Sequence, residues 1–390
     1  MPTHPQTDAI RTQTKRTAQK EHSTPLFLTS SFVYDSAEDM AAAFSDDSLD
    51  VNIYSRFSNP SVDEFIEKIC LLEGAEEGVA TGTGMAAVFA TFMTFLSKGD
   101  HIISASAVFG STHTILTKYL PKWGFESTYF DMNKPETIEA LIKSNTKLLY
   151  VETPSNPGLD IIDLAYVAAI CKKHNILFVV DNCFATPALQ QPIKFGAGIV
   201  LHSATKFIDG QGRVLGGVVV GKKELMHELY LFIRNTGPSL SPFNAWVLSK
   251  SIETLYVRME KHSENAMALA KKLENNPKLN WVKYPFLPSH PQYEIAKKQM
   301  SFGGGILIFE LKGGIESGRK FLNALQMLSM TNNLGDSRSI ASHPASTTHS
   351  KLSIAEKQAV SITDGLVRIS VGLEHISDII ADVEQALDKC

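Results

Sequence analysis

Residues 176–221, ILFVVDNCFATPALQQPIKFGAGIVLHSATKFIDGQGRVLGGVVVG, decide the fold: three apolar runs are separated by polar and glycine-bearing loops. The runs Leu177–Asp181, Ile199–His202 and Val214–Val220 are short and rich in β-branched residues, so they read as buried strands. Upstream, His101–Ser104 and Leu148–Glu152 have the same character, with helical periodicity between runs in Met85–Leu96 and Leu164–His174. This alternation predicts an α/β fold with a mostly parallel sheet and crossover helices. Open sheets of that kind bind ligands beyond the carboxyl ends of their strands. The polar clusters gather at those ends: ETPSNP at 152–157, Asp181–Asn182, and HSATK at 202–206.

Working outward, residues 1–58 are rich in Ser, Thr and Asp and read as an arm that packs on something else, such as a neighbouring subunit. Residues 59–245 read as the large domain. Residues 246–390 read as a smaller α+β domain, with strands at Gly304–Leu311 and Leu366–Val371 after a long helical stretch from Pro242 to Asn275. A chain of 390 residues is too long for one ordinary core, which agrees with two domains and an arm.

A net charge of −4 gives no electrostatic reason for nucleic acid or an anionic membrane as partner. No apolar stretch approaches the roughly 20 residues of a membrane span, and the first twenty residues lack the apolar segment of a secretory signal. The expected compartment is the cytoplasm. Cys70, Cys171, Cys183 and Cys390 are scattered, and Cys171 with His174 lacks a second ligand pair, so neither a disulfide framework nor a metal site is expected.

Four clusters carry the chemistry. Lys206 follows a buried strand, can form a Schiff base, and is flanked by the hydroxyls of Ser203 and Thr205. A surface lysine is the plainer reading of that position taken alone. Thr81-Gly82-Thr83-Gly84-Met85 opens a helix whose free N–H groups suit a phosphate. The same glycines also fit a dinucleotide fingerprint and hence an NAD-dependent oxidoreductase. Asp181 ends a buried strand, and a protonated pyridine nitrogen would pair it and keep the ring an electron sink; a turn aspartate is the alternative. Tyr54 and Arg56, in YSRFSNP, suit a phosphate dianion. Together the clusters supply a Schiff-base lysine, a pyridinium partner and phosphate ligands, whereas the nicotinamide reading leaves Lys206 idle.

With these residues in place, the sequence resembles the Cys/Met-metabolism family of fold-type I pyridoxal-phosphate (PLP) enzymes from about Thr24 to Gln385. The motifs are YSRFSNP (54–60), GTGMAA (82–87), VETPSNP (151–157), VVDNCFATP (179–187), HSATK (202–206), LSPFNAW (240–246), HPASTTH (343–349) and VRISVGLE (367–374). The resemblance implies a seven-stranded large-domain sheet and pyridoxal 5'-phosphate carried on Lys206, with Asp181 at its ring nitrogen. The phosphate would be held by Gly84, Met85, Ser203 and Thr205, and by Tyr54 and Arg56 of an adjacent subunit in a homotetramer. Arg368 would clamp the substrate carboxylate, with Asn156 beside it or near the cofactor's phenolic oxygen.

Two departures narrow the resemblance. Phe109 stands where most members have a ring-stacking tyrosine, so no phenol there can move a proton and Lys206 or Tyr54 must do more. Asn333 stands where many have serine before Leu-Gly-Asp, near the substrate-carboxylate site, and is expected to bind substrate there. Both, with DGQGR (209–213) and GPSLSPFNAW (237–246), are similar to the branch that sulfhydrylates O-succinylhomoserine, which implies γ-replacement of succinate by sulfide to give homocysteine. Arg213 is then a candidate for the succinyl carboxylate. Cystathionine γ-synthase and methionine or cystathionine γ-lyase share the cofactor residues and remain open.

Overall fold

The computed structural model describes residues 3–45, 51–347 and 362–390; Thr348 and His349, the end of the HPASTTH motif, lie outside them. The large sheet has seven strands: β1 (Glu77–Thr81), β2 (His101–Ala105), β3 (Glu126–Phe130), β4 (Thr146–Glu152), β5 (Leu177–Asp181), β6 (Ile199–Ser203) and β7 (Gly217–Gly221). Their order is β1-β7-β6-β5-β4-β2-β3. All pairs are parallel except those of β7 with β6 and with β1. The inner strands are buried along nearly their whole length, as their continuous apolar runs require.

Two strands of this sheet escaped the sequence reading, and both are its edges. β1 opens with Glu-Gly and β3 is ESTYF, half-exposed along most of its length, so neither has the apolar signature of an inner strand. The position of β1 also removes the dinucleotide reading of the glycines. That motif needs a strand inside a parallel βαβ unit, whereas β1 pairs with β7 alone among the described residues, and antiparallel.

β7 begins at Gly217 rather than Val214. Gly216 N–H is held by Thr205 Oγ1 at 3.1 Å, and a Cβ on Gly217 would lie 2.3 Å from the Thr83 carbonyl. The turn between Lys206 and β7 is thereby pulled against the start of helix Gly84–Phe95. The long helical stretch divides into Pro242–Ile252 and Leu255–Leu273. Arg258 Nη2 donates to the Ser251 carbonyl at 2.9 Å and its Nε to Thr254 Oγ1 at 3.3 Å, so its side chain spans the break.

A second sheet orders β10 (Ser329–Met330), β11 (Ile340–Ser342), β12 (Leu366–Ser370), β9 (Ile306–Leu311) and β8 (Leu279–Lys283). It is antiparallel apart from β10 with β11. The expected strand at Gly304 starts two residues later because Gly304 has φ +84°. The described residues before Asn59 hold two short helices, Pro5–Arg11 and Ala37–Ser45, and an isolated bridge between Ser31 and Tyr54. Val33 in this segment is 97% exposed.

Candidate active site

The carboxyl ends of β4, β5 and β6 bring Glu152, Asp181 and Ser203 to one edge of the large sheet. Lys206 lies one turn beyond β6, its N–H held by the Ser203 carbonyl at 3.2 Å. Its Nζ donates at 2.6 Å to Oδ1 of Asn333, which lies in the loop that joins β10 to β11. Gly335 lets that loop approach so closely: at φ +78°, a Cβ there would sit 2.6 Å from Phe207 N and 2.8 Å from the Lys206 carbonyl carbon. Burial lowers the Lys206 amine pKa; the neighbouring Cys183 thiol opposes this and the Arg368 cation adds to it. A lysine in that state accepts and returns protons nearer neutrality than a surface lysine does.

Arg368, on β12, is buried and faces the same space. It donates from Nη1 to Asn156 Oδ1 at 2.9 Å, and from Nη2 to the carbonyls of Asn333 at 3.3 Å and Asn332 at 3.4 Å. Among the described residues no carboxylate forms a salt bridge with it. Burial lowers its pKa to about 10, which leaves it charged at neutral pH. A buried guanidinium held only by neutral acceptors is a ready site for an incoming carboxylate.

Asp181 accepts Cys183 N–H at Oδ1 (2.9 Å) and the Tyr150 hydroxyl at Oδ2 (3.3 Å). Burial raises its pKa, against the hydrogen bond from Cys183 and the charge of His202. The adjacent Asn182 is fixed by Glu73 Oε1 at 2.8 Å, which also meets His202 Nε2 at 2.7 Å. A ring cation brought against Asp181 would remove the cost of ionising it there.

The anion cradle forms where helix Gly84–Phe95 meets β6. Thr83 Oγ1 caps the helix by accepting Ala86 N–H at 3.1 Å, which leaves the N–H groups of Gly84 and Met85 at the open first turn. A Cβ on Gly84 would lie 2.5 Å from Ser203 Cβ, so only glycine lets Ser203 and the helix N-terminus close on one point. Thr205 Oγ1 is engaged with Gly216 on the other side. A lysine, a carboxylate for a ring cation, and an anion cradle thus converge, and pyridoxal phosphate fits this donor set. Phe109 caps helix Gly110–Thr114, is 45% exposed, and is held through its N–H by Glu152 Oε1 at 2.9 Å.

Three predicted residues lie elsewhere within this chain. Tyr54 is 42% exposed, and Arg56 bonds the Arg234 carbonyl and stacks on Phe57 with its guanidinium carbon 4.7 Å from the ring centre. Arg213 is fastened to Asp209 (3.0 Å) and Ser251, in a salt bridge that staples the DGQGR loop. No hydrogen bond links these three to Lys206, Asn156 or Arg368 among the described residues. The sequence reading gave no role to Tyr150, Gly335 or Arg258. Gly335 was visible in the Asn-Leu-Gly-Asp motif, but a close approach between distant segments has no local signature.

The chain matches the family profile described as Cys/Met metabolism PLP-dependent enzyme over residues 6–388. An O-succinylhomoserine sulfhydrylase of Pseudomonas aeruginosa is 47% identical, over 97% of this chain and 94% of that protein. An L-methionine gamma-lyase of Porphyromonas gingivalis is 42% identical, over 94% of this chain and 92% of that protein. A crystal structure from Campylobacter jejuni, named as an O-acetylhomoserine (thiol)-lyase and carrying a pyridoxyl-lysine monophosphate, superposes with a TM-score of 0.94. It is 34% identical, and the match covers 99% of this chain and 100% of that one. The architecture is that of fold-type I PLP enzymes, and the cofactor is pyridoxal 5'-phosphate.

Proposed function

The chain belongs to the Cys/Met-metabolism PLP-dependent enzymes, and from that premise we propose that it catalyses γ-replacement on O-succinyl-L-homoserine. Sulfide takes the place of succinate and the product is L-homocysteine, a step of methionine biosynthesis. The observation that carries the reading is the pairing of Lys206, its amine on Asn333, with the carboxylate-free Arg368 whose Nη2 lies on the Asn333 carbonyl. The 47% identity to a relative named as an O-succinylhomoserine sulfhydrylase supports the choice of acyl group and nucleophile.

Pyridoxal phosphate, when bound, supplies an electron sink for negative charge developing beside the substrate amine. Arg368 holds the α-carboxylate through its two Nη groups and Asn156 fixes the guanidinium plane. Lys206 takes the Cα proton and carries it onward, its lowered pKa suiting it to both directions. Asp181 keeps a proton on the ring nitrogen. Phe109 stacks without a hydroxyl, so proton traffic falls to Lys206, with Tyr54 of a neighbouring subunit as helper. That last role assigns the segment before Asn59 to an intersubunit contact in a homotetramer of cytoplasmic enzyme, where Tyr54 and Arg56 would reach another chain's phosphate. The exposure of Tyr54 and Val33 supports it.

A γ-elimination reading is favoured by the relatives named as L-methionine gamma-lyase. One assay separates the two. Purified holoenzyme is given O-succinylhomoserine with sulfide, then with cysteine, and finally methionine alone. Homocysteine formed from sulfide at more than about tenfold the rate of the other reactions supports the sulfhydrylase, since a tenfold ratio is one 1.4 kcal/mol difference between barriers. 2-Oxobutyrate from methionine as the dominant product would overturn it.

A further inference from the structure

Tyr150, Glu152 and Asp181 stand on one face of the sheet, because Glu152 and Asp181 are register partners on β4 and β5 and Tyr150 lies two residues earlier. Glu152 is buried, and Tyr150 is wholly so. The Tyr150 hydroxyl lies 3.3 Å from Glu152 Oε1 and 3.3 Å from Asp181 Oδ2. Glu152 Oε1 also accepts the Phe109 N–H. No lysine or arginine forms a salt bridge with Glu152 or Asp181 among the described residues.

Counting protons decides what this cluster is. A phenol has one hydrogen and sits between two carboxyl oxygens. With both carboxyls ionised, one of the two oxygen–oxygen contacts has no hydrogen in it and is repulsive. A proton on Glu152 supplies the missing one, so that Glu152 donates to Tyr150 and Tyr150 donates to Asp181. The reverse placement, with Asp181 protonated and Glu152 ionised, is removed when a ring cation faces Asp181.

We propose that Glu152 is a positioning residue that works as a neutral acid: it anchors the main chain of the ring-stacking Phe109 and starts a one-way hydrogen-bond chain through Tyr150 into the Asp181 carboxylate. The inference rests on the reading that Asp181 faces the cofactor ring. Electrostatics agree with it. Burial, and then the charge of Asp181, push the Glu152 carboxyl well above its ordinary range, against the bonds from Phe109 and Tyr150. The other titratable groups interacting with the cluster are Cys183 and His202, and neither cancels that repulsion at Glu152. Glutamine keeps the group neutral; because the Phe109 and Tyr150 contacts both fall on Oε1, its amide must turn to accept from Phe109 through oxygen and donate to Tyr150 through nitrogen. Alanine can do neither.

The test uses holoenzyme, its sodium borohydride-reduced form, and the variants Glu152→Gln, Glu152→Ala and Tyr150→Phe. Infrared spectra at neutral pH are recorded in H2O and D2O. A protonated-carboxyl stretch that shifts in D2O and is missing from Glu152→Gln is expected. Cofactor affinity, read by fluorescence titration of the cofactor-free protein, should stay within about twofold in Glu152→Gln. It should fall roughly tenfold in Glu152→Ala, as expected for lost buried hydrogen bonds. The pH at which the cofactor absorbance titrates should hold in Glu152→Gln and move in Tyr150→Phe. Absence of the carboxyl band, or a shift of about one pH unit or more in Glu152→Gln, would overturn the proposal. Failure of pyridoxyl to label Lys206 would instead overturn the cofactor placement, so the two failures are distinguishable.

Discussion

At Lys206 and Arg368 the chemistry depends on what each cation is denied. Lys206 has a neutral amide oxygen for its amine, and Arg368 has amide and peptide oxygens, so both enter the reaction without a competing carboxylate. Replacing Lys206 with Ala should abolish turnover and remove pyridoxyl labelling on borohydride reduction; substantial residual γ-replacement would sink its assignment. Arg368→Lys keeps the charge but loses the planar fork. One lost charge-assisted hydrogen bond, about 1.5–3 kcal/mol, should raise KM for the amino-acid substrate roughly 10- to 100-fold with a smaller change in kcat. An unchanged KM would show that the carboxylate binds elsewhere. Both cations are legible in the sequence through HSATK and VRISVGLE. The Asn333 contact is not, because it joins positions 127 residues apart.

Two meetings of secondary elements build the site. The first is the helix Gly84–Phe95 against the end of β6, which closes only because Gly84 has no Cβ. Gly84→Ala should weaken cofactor binding by at least about tenfold, one 1.4 kcal/mol step, as the helix start or Ser203 moves aside. The melting temperature of the cofactor-free protein should change little by comparison. Equal cofactor affinity in the variant would show that the cradle tolerates a methyl. The second is Arg258 of helix Leu255–Leu273, which donates to the carbonyls of Phe207 (2.6 Å), Ile208 (3.1 Å) and Ser251 (2.9 Å). Arg258→Met leaves the Phe207 and Ile208 carbonyls without their donor, while Ser251 keeps Thr254. It should cost about 3 kcal/mol or more in urea unfolding, with the segment after Lys206 loosened first. A change below about 1 kcal/mol would mean that solvent replaces the guanidinium.

Across the whole molecule, buried titratable groups pull stability in opposite directions with pH. Burial lowers His262 and His290 to about 4, whereas an unfolded histidine titrates near ~6.5. Between those values the unfolded chain binds more protons, so the stability from these histidines is fully present above about pH 6.5 and is lost as pH falls. Glu152 and Asp181 act in the opposite sense in the cofactor-free protein. Their folded pKa values are raised, so the folded state holds more protons and stability falls as pH rises through that window. Replacing His290 with Gln should flatten the loss of melting temperature between about pH 6.5 and pH 5, provided the glutamine keeps the bond to the Leu159 carbonyl (3.0 Å). Glu152→Gln should steepen it. Parallel melting curves for all three proteins would show that other groups set the acid limb.

The sequence by itself determined the parts that are local. Period and composition placed the inner strands, because a strand buried on both faces must be apolar throughout. The motifs placed Lys206, Asp181 and Gly84 at strand ends and at a helix start, where backbone direction is fixed by neighbours in the chain. The tertiary structure decided the rest. Edge strands β1 and β3 carry mixed residues because one side meets solvent, and only pairing reveals them. Arg213, a candidate for the succinyl carboxylate in the sequence, is paired with Asp209, a choice made by the fold of a glycine loop. The proton shared around Tyr150 belongs to two strands at once, and strand alignment in space, not spacing along the chain, puts a second buried acid beside Asp181.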